Sequence, residues 1–425
     1  MIAWLLISFF VLLFMGVPIA MALGLSAIGG ILFMGGGNIV TVSQRAFEGM
    51  NSFTLLAIPL YTFAGFTMSK GGISKRLMDF CYSIVGHITG GLAHVNVLSS
   101  MIFAGISGSA VADTAGVSGM FMPEMVKKGY SKKFTTSVTA ISSTIGIIIP
   151  PSIPMVVIAG ICGISTGKLF LGGILPGIIL GLAQMVVSYF IAKKEGVPKE
   201  PGKFSIKEVG KGFIGSLPAL LMPIIIVGTI ITGIVSPTEA GVIAVVYGLF
   251  AGGIIYKELK WEDIKFAMVE TVKTSGKIFI VIAAAKLYTV MLTTAGFDKW
   301  LAGKMLGFTT NPTIILIMIL LIFFIVTMFM ESIATLTLFM PILYPIATNV
   351  GIDPIVMSVL ITVVIGVGLV TPPVGMCIYV ACDLMNLKVG EVFPKLCPFL
   401  FATLLCIILF IACPWLITAP GLLMK

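Results

Sequence analysis

Two places in this chain set an acid beside a hydroxyl inside otherwise apolar sequence. Asp113-Thr114 lies in SGSAVADTAG (Ser107 to Gly116), and Glu331-Ser332 lies in MFMESIAT (Met328 to Thr335). Each is followed by a similar tripeptide, Phe121-Met122-Pro123 and Phe339-Met340-Pro341, and laying one tripeptide on the other superposes the two acid–hydroxyl pairs. Each copy later meets a Pro-Pro pair, in STIGIIIPPSIP (Ser143 to Pro154) and in GVGLVTPPVG (Gly366 to Gly375). Carboxylates, hydroxyls and free main-chain carbonyls are hard oxygen donors, suited to a cation such as sodium. A carboxylate well inside a bilayer costs at least about 2.5–3.5 kcal/mol, so it faces a partner or a wet cavity. The competing reading is local: each acid braces the start of its own helix.

The elements needed to hold such groups follow from proline and glycine. Gly105, Ser107, Gly108 and Ser109 mark the tip of a helical hairpin near 90–125, and a second hairpin is expected near 311–345. A helix cannot run through Pro150-Pro151 or Pro372-Pro373, so Thr144 to Ile149 and Gly366 to Thr371 should be unwound. Each hairpin tip facing one unwound stretch would make one cage, and irregular backbone at membrane depth is tolerated only in such protein-lined places. Three side chains are candidates to meet a substrate beside the breaks at Pro150 and Pro372. They are Asp113, Ser152 and Lys286, the last being the one Lys or Arg deep in a span. For Lys286 the alternative is snorkelling to an interface, and for Ser152 it is turn bonding.

Composition fixes the class. Of 425 residues, 58% are hydrophobic and 10% charged, and mean hydropathy is +1.15. The chain reads as an all-α polytopic membrane protein in the lipid bilayer. The net charge of +9 sits in short loops, which points to the positive-inside rule and not to nucleic acid. Seven cysteines without a CxxC pair read as small core residues. No cleavage site follows the first apolar run. Gly35-Gly36-Gly37 lacks a following GK[ST], and no Ser/His/Asp or Cys/His grouping suggests an enzyme. Ser236-Pro237-Thr238-Glu239 has the form of a capping box.

In order, residues 3–35 should form two passes broken at Pro18, as 213–256 should at Pro237. Other spans are expected at 51–69, 134–162, 167–192, 275–294, 354–385 and 396–418, ten in all. Amphipathic pieces lie before His87 and around Trp261. The organisation expected is scaffold helices in 1–50, a first repeat in 51–195, a cytoplasmic loop over 196–212, scaffold and connector in 213–273, and a second repeat in 274–425. Lysines at 127–133, 193–211 and 257–265 should share the cytoplasmic side, while 347–355 carries none and falls outside. The repeats are therefore inverted, a relation also carried by Gly72-Ile73-Ser74-Lys75 matching Gly296-Phe297-Asp298-Lys299.

SGSAVADTAG, IIPPSIP, TPPVG and SPTEAG (Ser236 to Gly241) together resemble the large membrane subunit of tripartite ATP-independent periplasmic (TRAP) transporters, DctM type. That resemblance implies a multi-pass protein of the bacterial inner membrane, elevator-type and similar in fold to the ion-transporter superfamily. It implies sodium-coupled import of an organic acid, of C4-dicarboxylate or sialic acid type, delivered by a periplasmic substrate-binding protein. A small four-helix membrane subunit is the other expected partner. By the same likeness the first sodium cage falls on Ser107, Gly108, Ser109, Ser143 and Thr144, and the second on Glu331, Ser332, Gly366, Gly368 and Thr371. The family pattern has aspartate where this chain has Glu331. The alternative is an ion antiporter or channel independent of a binding protein.

Overall fold

A computed structural model describes residues 1–33, 39–197 and 205–423. Gly35-Gly36-Gly37, Lys199 and Lys203 lie outside the described residues. Twenty α-helices and no strand occur among those described.

The amino-terminal run folds as α1 (Ile2–Phe14) and α2 (Ile19–Phe33), with Gly16 at φ +82° just before Pro18. They are antiparallel, since a Cβ on Gly30 would touch Leu5. The amphipathic α3 (Ile39–Met50) leads into α4 (Ala57–Lys70), and the pair is bent by 60°. Then follow α5 (Ile73–Val85), the first hairpin arms α6 (Gly91–Ser107) and α7 (Ala110–Lys127), the broken pair α8 (Lys132–Ser143) and α9 (Ile153–Cys162), and the long α10 (Thr166–Glu195). A second set opens with α11 (Ile206–Ile231) and α12 (Pro237–Phe250), whose last turns widen over Ala251–Ile255. After α13 (Trp261–Thr294) and α14 (Phe297–Phe308) come the second hairpin arms α15 (Pro312–Thr327) and α16 (Ser332–Asn349). The broken pair α17 (Pro354–Gly368) and α18 (Met376–Met385), then α19 (Val389–Ala412) and α20 (Trp415–Thr418), complete it.

The elements α4–α10 thus recur in the same order as α13–α19. Gly72 and Gly296, which open α5 and α14, both take left-handed backbone, φ +77° and +79°. The ten expected spans are not ten continuous helices. Five of them are, namely α10, α11, α12, α13 and α19; α16, a hairpin arm, is the sixth helix among the described residues long and apolar enough to cross a membrane. The rest are short or broken. The amphipathic piece around Trp261 is not separate from the following span: both belong to the 34-residue α13, because nothing between Trp261 and Thr294 breaks a helix.

Packing establishes the inversion. Gly90, at the base of the first hairpin, lies against Ala192 near the end of α10, whereas Gly172 near its start lies against Val359 of α17, just past the base of the second hairpin. Twenty residues of helix separate these points, about 30 Å at 1.5 Å per residue. The hairpins therefore enter from opposite ends. The first hairpin's end is the lysine-rich one, where Ser131 donates to Glu195 (3.0 Å), Lys395 pairs with Glu195 (2.6 Å) and Lys133 approaches Glu391 (4.0 Å).

The helix pairs that precede each repeat are exchanged. α2 packs on α13 of the second repeat, which α1 reaches through Tyr288, its hydroxyl donating to the Leu5 carbonyl at 2.8 Å; α12 and α11 pack on α4 and α5 of the first. Two buried apolar clusters result, a large one spanning both hairpins and a smaller one joining α1, α2, α13 and α16.

Candidate functional site

The first tip is built by a glycine and a serine. Gly108 ends α6 in left-handed backbone (φ +65°), and an added Cβ would fall 2.7 Å from the carbonyl oxygen of Pro151, so only glycine fits there. Ser109 caps α7, its hydroxyl accepting from the Ala112 N–H at 3.5 Å. The Gly108 carbonyl accepts from the Ile153 N–H at 3.3 Å, which ties the tip to the first helix break. At the second tip the Met328 carbonyl accepts from the Val374 N–H at 3.1 Å in the corresponding manner. Both Pro-Pro bonds, Pro150-Pro151 and Pro372-Pro373, are cis.

Around the first break the expected residues converge. The Ser107 hydroxyl donates to Asp113 Oδ1, and the Ser109 N–H donates to Ser107 Oγ at 3.3 Å. The hydroxyls of Thr114 and Ser143 share a hydrogen bond of 2.5 Å, with Cys377 of α18 beside them. Thr144 bonds back to the Ile141 carbonyl (2.7 Å) in a tight turn that runs over Thr144–Ile147. Asp113 is 4% exposed, and its second oxygen, Oδ2, has no hydrogen-bond partner among the described residues. That oxygen points at the backbone of Gly146, where an added Cβ would lie 2.1 Å from it. A buried carboxylate oxygen left without a donor is the kind of group a cation satisfies.

The second cage differs in register. Glu331 is the cap of α16: Oε1 accepts from the Ser332 hydroxyl (2.6 Å) and Oε2 from the N–H groups of Ile333 (2.9 Å) and Ala334 (3.3 Å). Asp113 instead sits inside the first turn of α7. The two acids align in sequence yet occupy different positions on their helices, because the second tip spans Met328 to Glu331 while the first needs only Gly108 and Ser109. The expectation that Gly366 to Thr371 is wholly unwound is corrected: α17 continues to Gly368 and the chain leaves it only there. Gly368 packs on Thr327 of α15, and the Thr371 hydroxyl bonds back to the Val367 carbonyl at 2.7 Å. A Cβ on Gly366 would come 3.3 Å from Thr144 Cβ, so the two breaks touch.

Two of the substrate candidates are engaged elsewhere. Ser152, fully buried, caps α9 by accepting from the Met155 N–H (3.3 Å) and donates to the Ile147 carbonyl (2.5 Å). Lys286 points away from both cages: its Cβ and Cγ lie 2.7 and 2.9 Å from the place of a Cβ on Gly49 of α3.

Both tips face one cavity of about 740 Å³, whose other wall is α4 and α13. Its lining includes Ser109 and Ala110, Glu331 and Ser332, and the first residues of α9 and α18. It extends past Lys70 to Phe266, so it runs from the tips toward the lysine-rich end. A smaller cavity of about 120 Å³ beneath the first tip reaches Ser107 and Asp113. Lys277 and Thr274 also line the large cavity. Reading the sequence passed over both, since only a continuous α13 brings them level with the tips.

The fold recurs in a solved structure described as the Alcanivorax borkumensis YdaH transporter with an unusual topology. The likeness has a TM-score of 0.63, covers 89% of each chain and has 12% sequence identity. Among relatives in sequence, the isethionate TRAP transporter permease protein DctMQ of Oleidesulfovibrio alaskensis is 37% identical over 401 residues. That match takes in 94% of this chain and 63% of the relative, so the chain spans under two thirds of that protein's length. The sialic acid TRAP transporter large permease protein SiaM of Vibrio cholerae is 35% identical over 90% of this chain and 88% of its own. The C4-dicarboxylate TRAP transporter large permease protein DctM of Pseudomonas aeruginosa is 36% identical over 91% of each. The family model for the tripartite ATP-independent periplasmic transporter, DctM component, matches residues 6–416. With nearly its whole length matched by that model, on a fold whose paired hairpins meet around one cavity, the chain belongs to the DctM family of TRAP transporter membrane proteins.

Proposed function

We propose that this chain is the large membrane subunit of a sodium-coupled importer of an organic acid. Its substrate arrives on a periplasmic binding protein, and the chain works with a small four-helix membrane subunit in the bacterial inner membrane. The observation that carries the reading is the pair of inverted hairpin tips facing two helix breaks around one cavity, with Asp113 Oδ2 unpaired against Gly146. Sodium is cargo here and not a resident cofactor. Its first cage would draw on Ser107, Gly108, Ser109, Ser143 and Thr144, with Asp113 beside them, and its second on Glu331, Ser332, Gly366, Gly368 and Thr371. The donors proposed for both places are oxygens, which suit a hard cation, with the Cys377 thiol beside the first as a neutral neighbour. The relatives are named for isethionate, sialic acid and C4-dicarboxylate, all organic anions. A cavity of about 740 Å³ is within the range that encloses such molecules.

Transport would then proceed as an elevator, the hairpins and broken helices sliding along α4 and α13 so that the cavity opens alternately at each end. Neutralising Asp113 with sodium while the acid neutralises the cavity makes the loaded carrier cheaper to move through lipid than a half-loaded one. That difference is what couples the two fluxes.

The test is uptake into proteoliposomes holding the chain and its small subunit. Labelled succinate, N-acetylneuraminate and isethionate are offered on their binding proteins, with and without an inward sodium gradient. Uptake of one acid that needs both the gradient and the binding protein is expected. Flux indifferent to both would instead mark an ion channel or antiporter.

A further inference from the structure

The large cavity holds a positive charge that nothing among the described residues answers. α13 is one unbroken helix of 34 residues, so Lys277 and Lys286, nine positions apart, project about 180° from each other. Lys286 packs on Gly49 of α3. Lys277 therefore faces the other way, and with Thr274, Ile278 and Val281 it forms the α13 wall of the cavity opposite the hairpin tips.

The other charged groups on the cavity wall are already engaged. Lys70 has its ammonium over the Phe266 ring, 4.6 Å from the centroid, at the lysine-rich end. Both oxygens of Glu331 are taken up by Ser332, Ile333 and Ala334. The Lys277 ammonium has neither an ion pair nor a hydrogen bond among the described residues, and the side chain is exposed to the cavity. Across from it open the first turns of α7, α9, α16 and α18, whose N–H ends carry partial positive charge. The remaining lining is mostly aliphatic. An unanswered ammonium at membrane depth is unfavourable, and a ligand of opposite sign relieves it.

We propose that Lys277 is the substrate-binding residue that pairs with the acid group of the cargo, a carboxylate or a sulfonate, while the rest of the molecule lies against the aliphatic wall. This rests on the importer reading above. In that reading α13 stays still while the tips move, so Lys277 holds the acid only when the cavity opens toward the lysine-rich end. It is thus a selector for anions at the release side.

Binding of labelled succinate, N-acetylneuraminate and isethionate to the chain with its small subunit, in sodium, tests this directly. For the acid that binds, Lys277→Gln should weaken affinity about ten- to a hundredfold, the range for a hydrogen bond to a charged group. Lys277→Arg should keep most of the affinity, and Lys286→Gln should bind as the parent does. A second readout uses an analogue with the acid group replaced by a neutral amide. The parent should discriminate against it, and Lys277→Gln should bind acid and amide alike. If the parent binds none of the three acids, the importer reading falls and Lys277 with it. If an acid binds but the parent treats acid and amide equally, or Lys277→Gln retains the discrimination, only the role of Lys277 is overturned. Loss through a lipid contact would give that last result.

Discussion

At the scale of single residues, the aligned acids Asp113 and Glu331 separate into two kinds of group. Glu331 has its hydrogen bonds made by its own helix, so its removal is a capping defect: Glu331→Ala should lower stability by about 0.5–2 kcal/mol, read as a lower thermal midpoint in sodium-free buffer. Asp113 has one oxygen held by Ser107 and the other unanswered, so Asp113→Asn should leave that midpoint nearly unchanged and reduce its rise on adding sodium to the part the second cage supplies. Ser107→Ala and Thr371→Ala should likewise raise the sodium concentration needed for half-maximal acid uptake more than Glu239→Gln does. Glu239 serves the capping box of α12, with Ser236 N–H donating at 2.6 Å and Ser236 Oγ accepting at 3.3 Å, and it lines neither cavity at the tips. The reverse ranking would show that the cages are misplaced. Lys286 marks the limit of reading residues alone. A lysine in an apolar run is visible in sequence, but which side of the helix it occupies depends on where that helix begins.

The helix breaks are the working elements, and their shape depends on residues too small to obstruct them. Gly146 is the clearest case, because a methyl there would occupy the space in front of Asp113 Oδ2, 2.1 Å away. Gly146→Ala should therefore cut sodium-induced thermal stabilisation as far as Asp113→Asn does, while Gly116→Ala on α7, which meets nothing within 4 Å, should leave it intact. Equal loss in both would mean that general hairpin rigidity and not the cage is being measured. The breaks themselves were legible from Pro150-Pro151 and Pro372-Pro373, and the first tip from Gly108-Ser109, since proline and glycine act locally on the backbone. The second tip was harder to place. Its break falls between Thr327 and Ser332 without a glycine, and only the capping bonds of Glu331 show where α16 starts. The extent of α17 was not legible either, because a Pro-Pro pair fixes where a helix cannot pass, not how far upstream it stops.

For the whole molecule, charge anticipated that the two hairpins are opposed, and packing gave the arrangement. The lysine clusters foretold that the hairpins enter from opposite ends, and the contacts of Gly90 and Val359 along α10 agree. The exchange of helix pairs, α1–α2 onto α13 and α11–α12 onto α4 and α5, was not foretold. An apolar face that meets lipid and one that meets another helix have the same composition in a membrane. The exchange has a mechanical consequence: each repeat is held by the pair that precedes the other repeat, so the wall of α4 and α13 is braced from both sides. Inversion is open to a direct check in whole cells and inverted vesicles with a membrane-impermeant maleimide, after Cys397, the exposed native cysteine among the described residues, is replaced by alanine. Lys132→Cys, exposed at the base of the first hairpin, should label only in inverted vesicles, and Asn349→Cys, exposed at the base of the second, only in cells whose outer membrane admits the reagent. Should both cysteines react from one side, the two cages could not be related by a two-fold axis in the membrane plane. A single set of sliding hairpins would then have no means of opening the cavity first at one surface and then at the other.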